Sequence, residues 1–248
     1  MAAVHGLHLA LPHASPDSSH GLSEMSDSLH SMDWSPFWLS LRVAGIATVL
    51  ALVAGIALGW LFARRRFPGS AMLEAVFMLP LVLPPTVIGY GLLVAAGRRS
   101  VVGGWLYRQV GYTVVFNWHG AVLASAIVAL PLVLKSANAA FAGVDRSLEA
   151  AARTLRQSPW SVFVRVTLPL AWPGILAGTL LAFARAMGEF GATLMVAGDI
   201  PHQTQTLSMA IYDAMQDGRD QAALLLVFVT SMLSIAVLVL SGRFLSLR

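Results

Sequence analysis

The sequence predicts an all-α polytopic membrane protein with about five spanning helices. Apolar residues fill 57% of the 248 positions and charged residues only 11%, whereas soluble domains average about 25% charged. Apolar blocks long enough to cross a bilayer, about 20 residues each, recur along the chain. Most basic residues sit in short clusters between these blocks, the pattern of cationic loops.

The blocks run over residues 37–63, 71–96, 120–141, 173–197 and 222–240. The first ends on Arg64, Arg65 and Arg66, and the second is followed by Arg98 and Arg99. Inside the second, Leu79-Pro80-Leu81-Val82-Leu83-Pro84-Pro85 must interrupt the backbone ladder. Such interruptions persist in a membrane where neighbouring helices or cavity water satisfy the freed carbonyls. Two readings stand: a kinked helix that lines a pore through Pro84 and Pro85, or a packing kink.

The basic residues also orient the chain. With the N-terminus outside, the inner segments hold Arg64, Arg65, Arg66, Arg146, Arg153, Arg156, Arg165, Arg243 and Arg248. The outer segments then hold only Arg98, Arg99, Arg108 and Arg219. The positive-inside bias favours that arrangement and a periplasmic N-terminus.

Residues 1–33 differ from the rest. They are rich in Ser and His and lack Lys and Arg. A secretory signal would open on a cationic stretch, so this segment reads as a disordered extension ahead of a membrane domain at 34–248. His5, His8, His13, His20 and His30 are irregularly spaced and predict no metal site. The net charge of +4 lies in loop clusters rather than an aromatic-interleaved stripe, so nucleic acid is not an expected partner. The absence of cysteine excludes disulfides and thiolate metal sites.

A charge near mid-bilayer costs about 2.5–3.5 kcal/mol on insertion scales and must face a cavity or a partner. Arg185 and Glu189, one turn apart in the fourth block, either line a translocation path or neutralise each other. Lys135 is expected to snorkel. Gly188, Gly191, Ala192 and Thr193 form a small-residue face suited to tight packing across a dimer or around a pore. The segment 199–221 carries Asp213, Asp217 and Asp220 and predicts a short amphipathic helix around 207–215.

Between the third and fourth blocks lies Asp145-Arg146-Ser147-Leu148-Glu149-Ala150-Ala151-Ala152-Arg153-Thr154-Leu155. Asp145 is a natural N-cap whose carboxylate suits the positive helix end. Leu148, Ala151, Ala152 and Leu155 share one helical face. Arg146, Glu149, Arg153 and Arg156 share the other, with Glu149 placed to pair with Arg153. The alanines leave a shallow surface that a partner groove can contact closely. A helix of this kind either docks a partner or lies on lipid headgroups.

Glu149-Ala150-Ala151-Ala152, followed at set distances by Val166, Leu168 and Pro169, resembles the EAA motif of ABC-importer permeases. One departure is plain: Arg156 stands where that family carries Gly. Gly permits a positive-φ turn, so Arg156 either strains the turn or moves it to Gln157-Ser158-Pro159. The resemblance runs from about Trp38 to the C-terminus and is nearest to molybdate ABC transporter permeases. Its carriers are LPLVLPPTVIGYG at 79–91, the loop at 145–174, and FARAMGEFGATLMVAGDIPHQTQTLSMAIYD at 183–213. Asp199 replaces the family's usual Asn, sulfate and thiosulfate permeases share a weaker version of the last segment, and the residues themselves leave molybdate, tungstate and sulfate open as cargo.

The resemblance implies a type I importer fold and a homodimer around a central path. It implies that Asp145, Leu148, Glu149, Ala150, Ala151, Ala152, Leu155, Arg156, Leu168 and Pro169 couple the permease to a separate ATPase dimer. The path would involve Pro84, Pro85, Arg185, Glu189, Gly191 and Thr193. A periplasmic molybdate-binding protein would deliver the anion, with Asp213 and Asp217 as candidate contacts. No catalytic or metal-ligating set is expected here, and no Walker A sequence occurs, so ATP-Mg would be bound by the partner ATPase. An ATP-independent carrier should show inverted repeats and several mid-membrane ionisable groups. No convincing repeat is visible, and a purely structural scaffold leaves the loop motif unexplained.

Overall fold

The structure, a computed structural model, describes residues 33–65 and 67–246. The expected extension up to residue 32, with its histidines, lies outside the described residues, as do Arg66 and Arg248 of the charge pattern. Ten helices follow in order: α1 (Ser35–Arg64), α2 (Ser70–Val82), α3 (Pro85–Ala96), α4 (Val101–Val110), α5 (Trp118–Ala142), α6 (Arg146–Thr154), α7 (Pro159–Met187), α8 (Gly191–Ala197), α9 (Leu207–Gln216) and α10 (Asp220–Ser246). Among the described residues, α1, α5, α7 and α10 are long and apolar enough to span a membrane. A fifth span results if the bent pair α2 and α3 crosses as one.

The core is built on small residues. In α1, Ser40, Val43, Ala44, Ala47, Thr48, Ala51, Gly55 and Gly59 are buried, a stripe at helical spacing. A Cβ on Gly55 would stand 2.6 Å from Val133 Cγ1, and one on Gly59 would stand 2.7 Å from Ala137 Cβ. The backbones of α1 and α5 therefore meet as closely as side chains permit, the membrane way of packing helices without a hydrophobic drive between them. Helix α7 approaches the other side of α5, where Gly178 lies against Ser136. α5 is thus the central helix, and Ala121, Ala124, Ala129, Val133, Leu134, Ala137 and Phe141 are fully buried.

The second block is not one kinked helix. α2 and α3 meet at 114°. Leu83 and Pro84 are both extended, and Pro85 opens α3. The cause is local: a residue before proline is driven out of the helical region, and proline is well suited to a first helical position. The fourth block also shifts. α7 begins at Pro159, ends at Met187, and is separated from α8 by Gly188–Phe190. Near its start, Phe163–Thr167 forms a π turn in which Leu168 N donates to Phe163 O. This wider turn lies just before Pro169, which has no N–H to continue a regular ladder.

Candidate functional site

α6 stands beyond the ends of α1 and α7. The Asp145 carboxylate accepts the Ser147 amide at 2.8 Å, which holds its pKa below the usual carboxylate value and fixes the helix start. The turn after α6 stays on Arg156, at φ +57°. Ser158 then caps α7 by accepting the Ser161 amide at 3.2 Å, with Pro159 at the first helical position.

α6 buries neither of its faces completely. From its charged face Glu149 alone is turned into the protein, while Arg146, Arg153 and Arg156 are exposed. Arg146, Glu149, Ala150 and Arg153 line a cavity of about 650 Å³ together with Trp60, Arg64, Arg65, Pro159, Val162, Phe163 and Thr167. The apolar face turns away: Leu148 is 48% exposed, Leu155 75% exposed, and Ala151 is exposed beside them. Ala152 is half-buried. An amphipathic helix normally covers its apolar stripe against its own core. Here that stripe is left for another surface.

What holds α6 in this pose is Glu149. The expected pair with Arg153 is not the one formed. Glu149 Oε1 accepts Arg64 Nη2 at 2.5 Å and Thr167 Oγ1 at 2.6 Å. Both ionic side chains are nearly buried, at 12% and 13% exposure, where a charge pair is less screened than at an open surface. One carboxylate thus joins α6, the end of α1 and the π turn of α7. Beneath it, Phe163 packs against Trp60 at 5.8 Å, Phe141 at 6.0 Å and Trp160 at 5.7 Å between ring centroids. Leu168 packs against the same apolar cluster, and Pro169 is exposed.

Sequence reasoning identified α6, its cap and its faces but missed Arg64 and Thr167 as the partners of Glu149. The one available signal was Arg64 ending an apolar block, and it carried no information about which carboxylate it would meet. Lys135 likewise does not simply snorkel, since its ammonium pairs with Glu74 at 2.7 Å.

At the other end of the bundle the breaks in α2–α3 and α7–α8 face each other. A Cβ on Gly191 would lie 3.0 Å from Pro85 Cβ, and one on Gly89 would lie 2.7 Å from Met195 Cβ. The small-residue face therefore serves packing within the chain. Glu189, 2% exposed, accepts Arg185 Nη1 at 2.6 Å and the Ala192 amide at 2.8 Å. It neutralises Arg185 and caps the restart of the helix. Thr193 is fully buried and donates to the Phe190 carbonyl at 2.9 Å. Pro84 forms the hinge. The helix expected around 207–215 is α9. Its Asp213 accepts Gln205 Nε2 at 2.7 Å, and Asp217 pairs with Arg219 at 2.8 Å. Burial and the adjacent Asp213 carboxylate push the Asp199 carboxyl up to about 6, against a smaller lowering effect of Gln205.

A bundle of spanning helices that carries a short amphipathic helix outside the spans defines an integral membrane protein. The chain belongs to the family of binding-protein-dependent transport system inner membrane components, which matches residues 55–247. These are permeases of ABC importers, transport components rather than enzymes. The chain is 46% identical over 209 residues to the molybdenum transport system permease protein ModB of Escherichia coli K12, covering 84% of this chain and 91% of that one. It is 45% identical to ModB of Haemophilus influenzae, with 85% and 92% covered. The sulfate transport system permease protein CysT of Escherichia coli K12 is 31% identical, with 79% and 75% covered. Among solved structures, a bacterial ABC transporter that imports the acidic polysaccharide alginate matches with a TM-score of 0.71 at 14% identity, covering 89% of this chain and 82% of that one. The MetNI methionine ABC transporter matches at 0.59 and 17% identity, with 84% and 94% covered. These two likenesses establish the fold alone.

Proposed function

We propose that this chain is the permease of a molybdate importer in which α6 delivers the motion of a separate ATPase dimer to the spans. The observation that carries the coupling reading is the exposed apolar face of Leu148, Ala151 and Leu155, held outward by the Arg64–Glu149–Thr167 linkage. The 46% identity to a molybdenum permease supports the cargo. The permease works as a homodimer, with the N-terminus outside and α6 in the cytoplasm. A periplasmic binding protein delivers the anion near α9, with Asp213 and Asp217 close to the contact.

ATP-Mg binds to the partner ATPase. Closure of that dimer draws the two α6 helices together and opens the path outward, and hydrolysis resets it. α6 can shift this equilibrium only through contacts that differ between the two states. The path runs beside the paired breaks, where Pro84, Pro85, Arg185, Glu189, Gly191 and Thr193 set the local backbone. Of these, Arg185 has the exposed charge, with 36% of its side chain accessible.

The test uses the permease co-expressed with its ATPase and reconstituted with its binding protein. Leu148→Glu with Leu155→Glu is expected to abolish co-purification and molybdate-stimulated ATP hydrolysis while the permease still inserts. Undiminished assembly would overturn the docking role. Uptake of sulfate in preference to molybdate would overturn the cargo assignment in favour of a sulfate permease.

A further inference from the structure

The cavity behind α6 has a composition that ATPase docking does not explain. Arg64, Arg65, Arg146 and Arg153 converge on it, and Glu149 is its single carboxylate. Arg64 Nε is buried and has no hydrogen-bond partner among the described residues. A buried donor left unsatisfied costs about 1–3 kcal/mol, and a bound acceptor removes that cost. Apart from Thr167, whose hydroxyl is engaged by Glu149, the rest of the lining is apolar and aromatic: Trp60, Ala150, Pro159, Val162 and Phe163. A free hydrated dianion gains nothing from such a floor. An amphiphile with a phosphate head and an acyl body matches both halves. The position fits as well, because Trp60 lies in the last turns of α1, where an aromatic side chain marks a membrane interface. Basic pockets between spanning helices on the cytoplasmic side accept anionic lipid headgroups.

We propose that this cavity binds the phosphate of an anionic phospholipid, cardiolipin or phosphatidylglycerol, from the cytoplasmic leaflet. Arg65, Arg146 and Arg153 hold the head, and Arg64 contributes Nε while its Nη2 stays on Glu149. The lipid fills the space between α6 and the ends of α1 and α7, bracing the helix from the side opposite to its exposed apolar face. The leaflet assignment rests on the inward placement of α6 proposed above.

The experiment takes the assembled permease–ATPase complex into nanodiscs of phosphatidylcholine doped with cardiolipin or phosphatidylglycerol. Co-released lipid is then counted by native mass spectrometry. A nanodisc offers the lipid to both ends of the protein, so an error in orientation does not mask binding. Molybdate-stimulated ATP hydrolysis in the same preparation reports separately on the transport reading. Wild type is expected to retain anionic lipid over phosphatidylcholine. Arg146→Gln, Arg153→Gln and Arg65→Gln are each expected to weaken retention about fivefold. Arg65→Gln lies on α1's side of the cavity and leaves α6 unaltered, so it remains informative if the other two variants fail to assemble. Equal retention by wild type and Arg65→Gln, or no preference for anionic lipid, overturns the proposal. Displacement of the lipid by millimolar inorganic phosphate or molybdate also overturns it, in favour of a free-anion site.

Discussion

Glu149 and Arg64 are 85 positions apart in sequence, and their charged groups meet at 2.5 Å. The acidic residue of the loop motif is therefore turned inward, onto the end of the first span. It sets the pose of α6, and the exposed leucines present the surface.

Removing one member of this pair leaves the other poorly solvated and uncompensated. Glu149→Gln or Arg64→Gln is expected to destabilise the protein by on the order of 3 kcal/mol, as for other nearly buried pairs broken from one side. The double variant should recover much of that loss. Thermal unfolding of the four proteins in one detergent gives the coupling energy directly. A strictly additive double variant would mean that the contact contributes little.

Arg156 occupies a left-handed turn at φ +57°, a conformation that costs a non-glycine residue about 1–2 kcal/mol. Its side chain is exposed. Arg156→Gly should therefore raise stability, by up to about 1 kcal/mol. Arg156→Val, branched at Cβ, should lower it. A melting temperature that falls for Arg156→Gly would show that the side chain holds the turn through a contact of its own.

Gly89 admits no side chain. A Cβ there would lie 2.7 Å from Met195 Cβ and 2.9 Å from Ala192 Cα, so Gly89→Ala must push α3 off α8. The cost of such overpacking is about 1–3 kcal/mol, and molybdate uptake should drop while ATPase co-purification persists. Gly91→Ala, two positions on with nothing within 4 Å, is the matched control and should be silent.

Asp199 carries a pH signature. Its folded pKa, near 6, stands above the ordinary 3.8, so the folded state binds the proton more tightly than the unfolded state does. The contribution to stability is full below pH 3.8, declines as the pH rises, and is lost above about 6. Asp199→Asn keeps a neutral side chain beside Asp213 and should remove this slope, leaving the protein more stable than wild type at pH 7. Unfolding midpoints measured from pH 4 to pH 8 will show it. Parallel profiles for both proteins would rule out the raised Asp199 pKa.

Much of the fold was legible in the residues. Five apolar blocks, the Asp145 cap, the two faces of α6 and the short helix around 207–215 all follow from local periodicity and capping chemistry, whose range is one or two helical turns. The breaks were legible only in part. Proline density at 80–85 marked the first but gave neither its 114° angle nor the contact of α3 with α8. The second break, at 188–190, has no proline to mark it, only Gly188 and Gly191, and Glu189 turns inward there to cap α8.

The sequence by itself determined that the chain is a helical membrane protein and that residues 146–154 form an amphipathic helix outside the spans. Tertiary structure alone decided that the Leu148 and Leu155 stripe of that helix is left exposed, because periodicity says which residues share a face and not which residues are covered. It also decided that Glu149 meets Arg64 instead of the neighbouring Arg153. An exposed pair on one helix contributes only about 0.3–0.5 kcal/mol. A carboxylate enclosed between three elements must be matched where it lies, and the end of α1 supplies both the charge and the shelter.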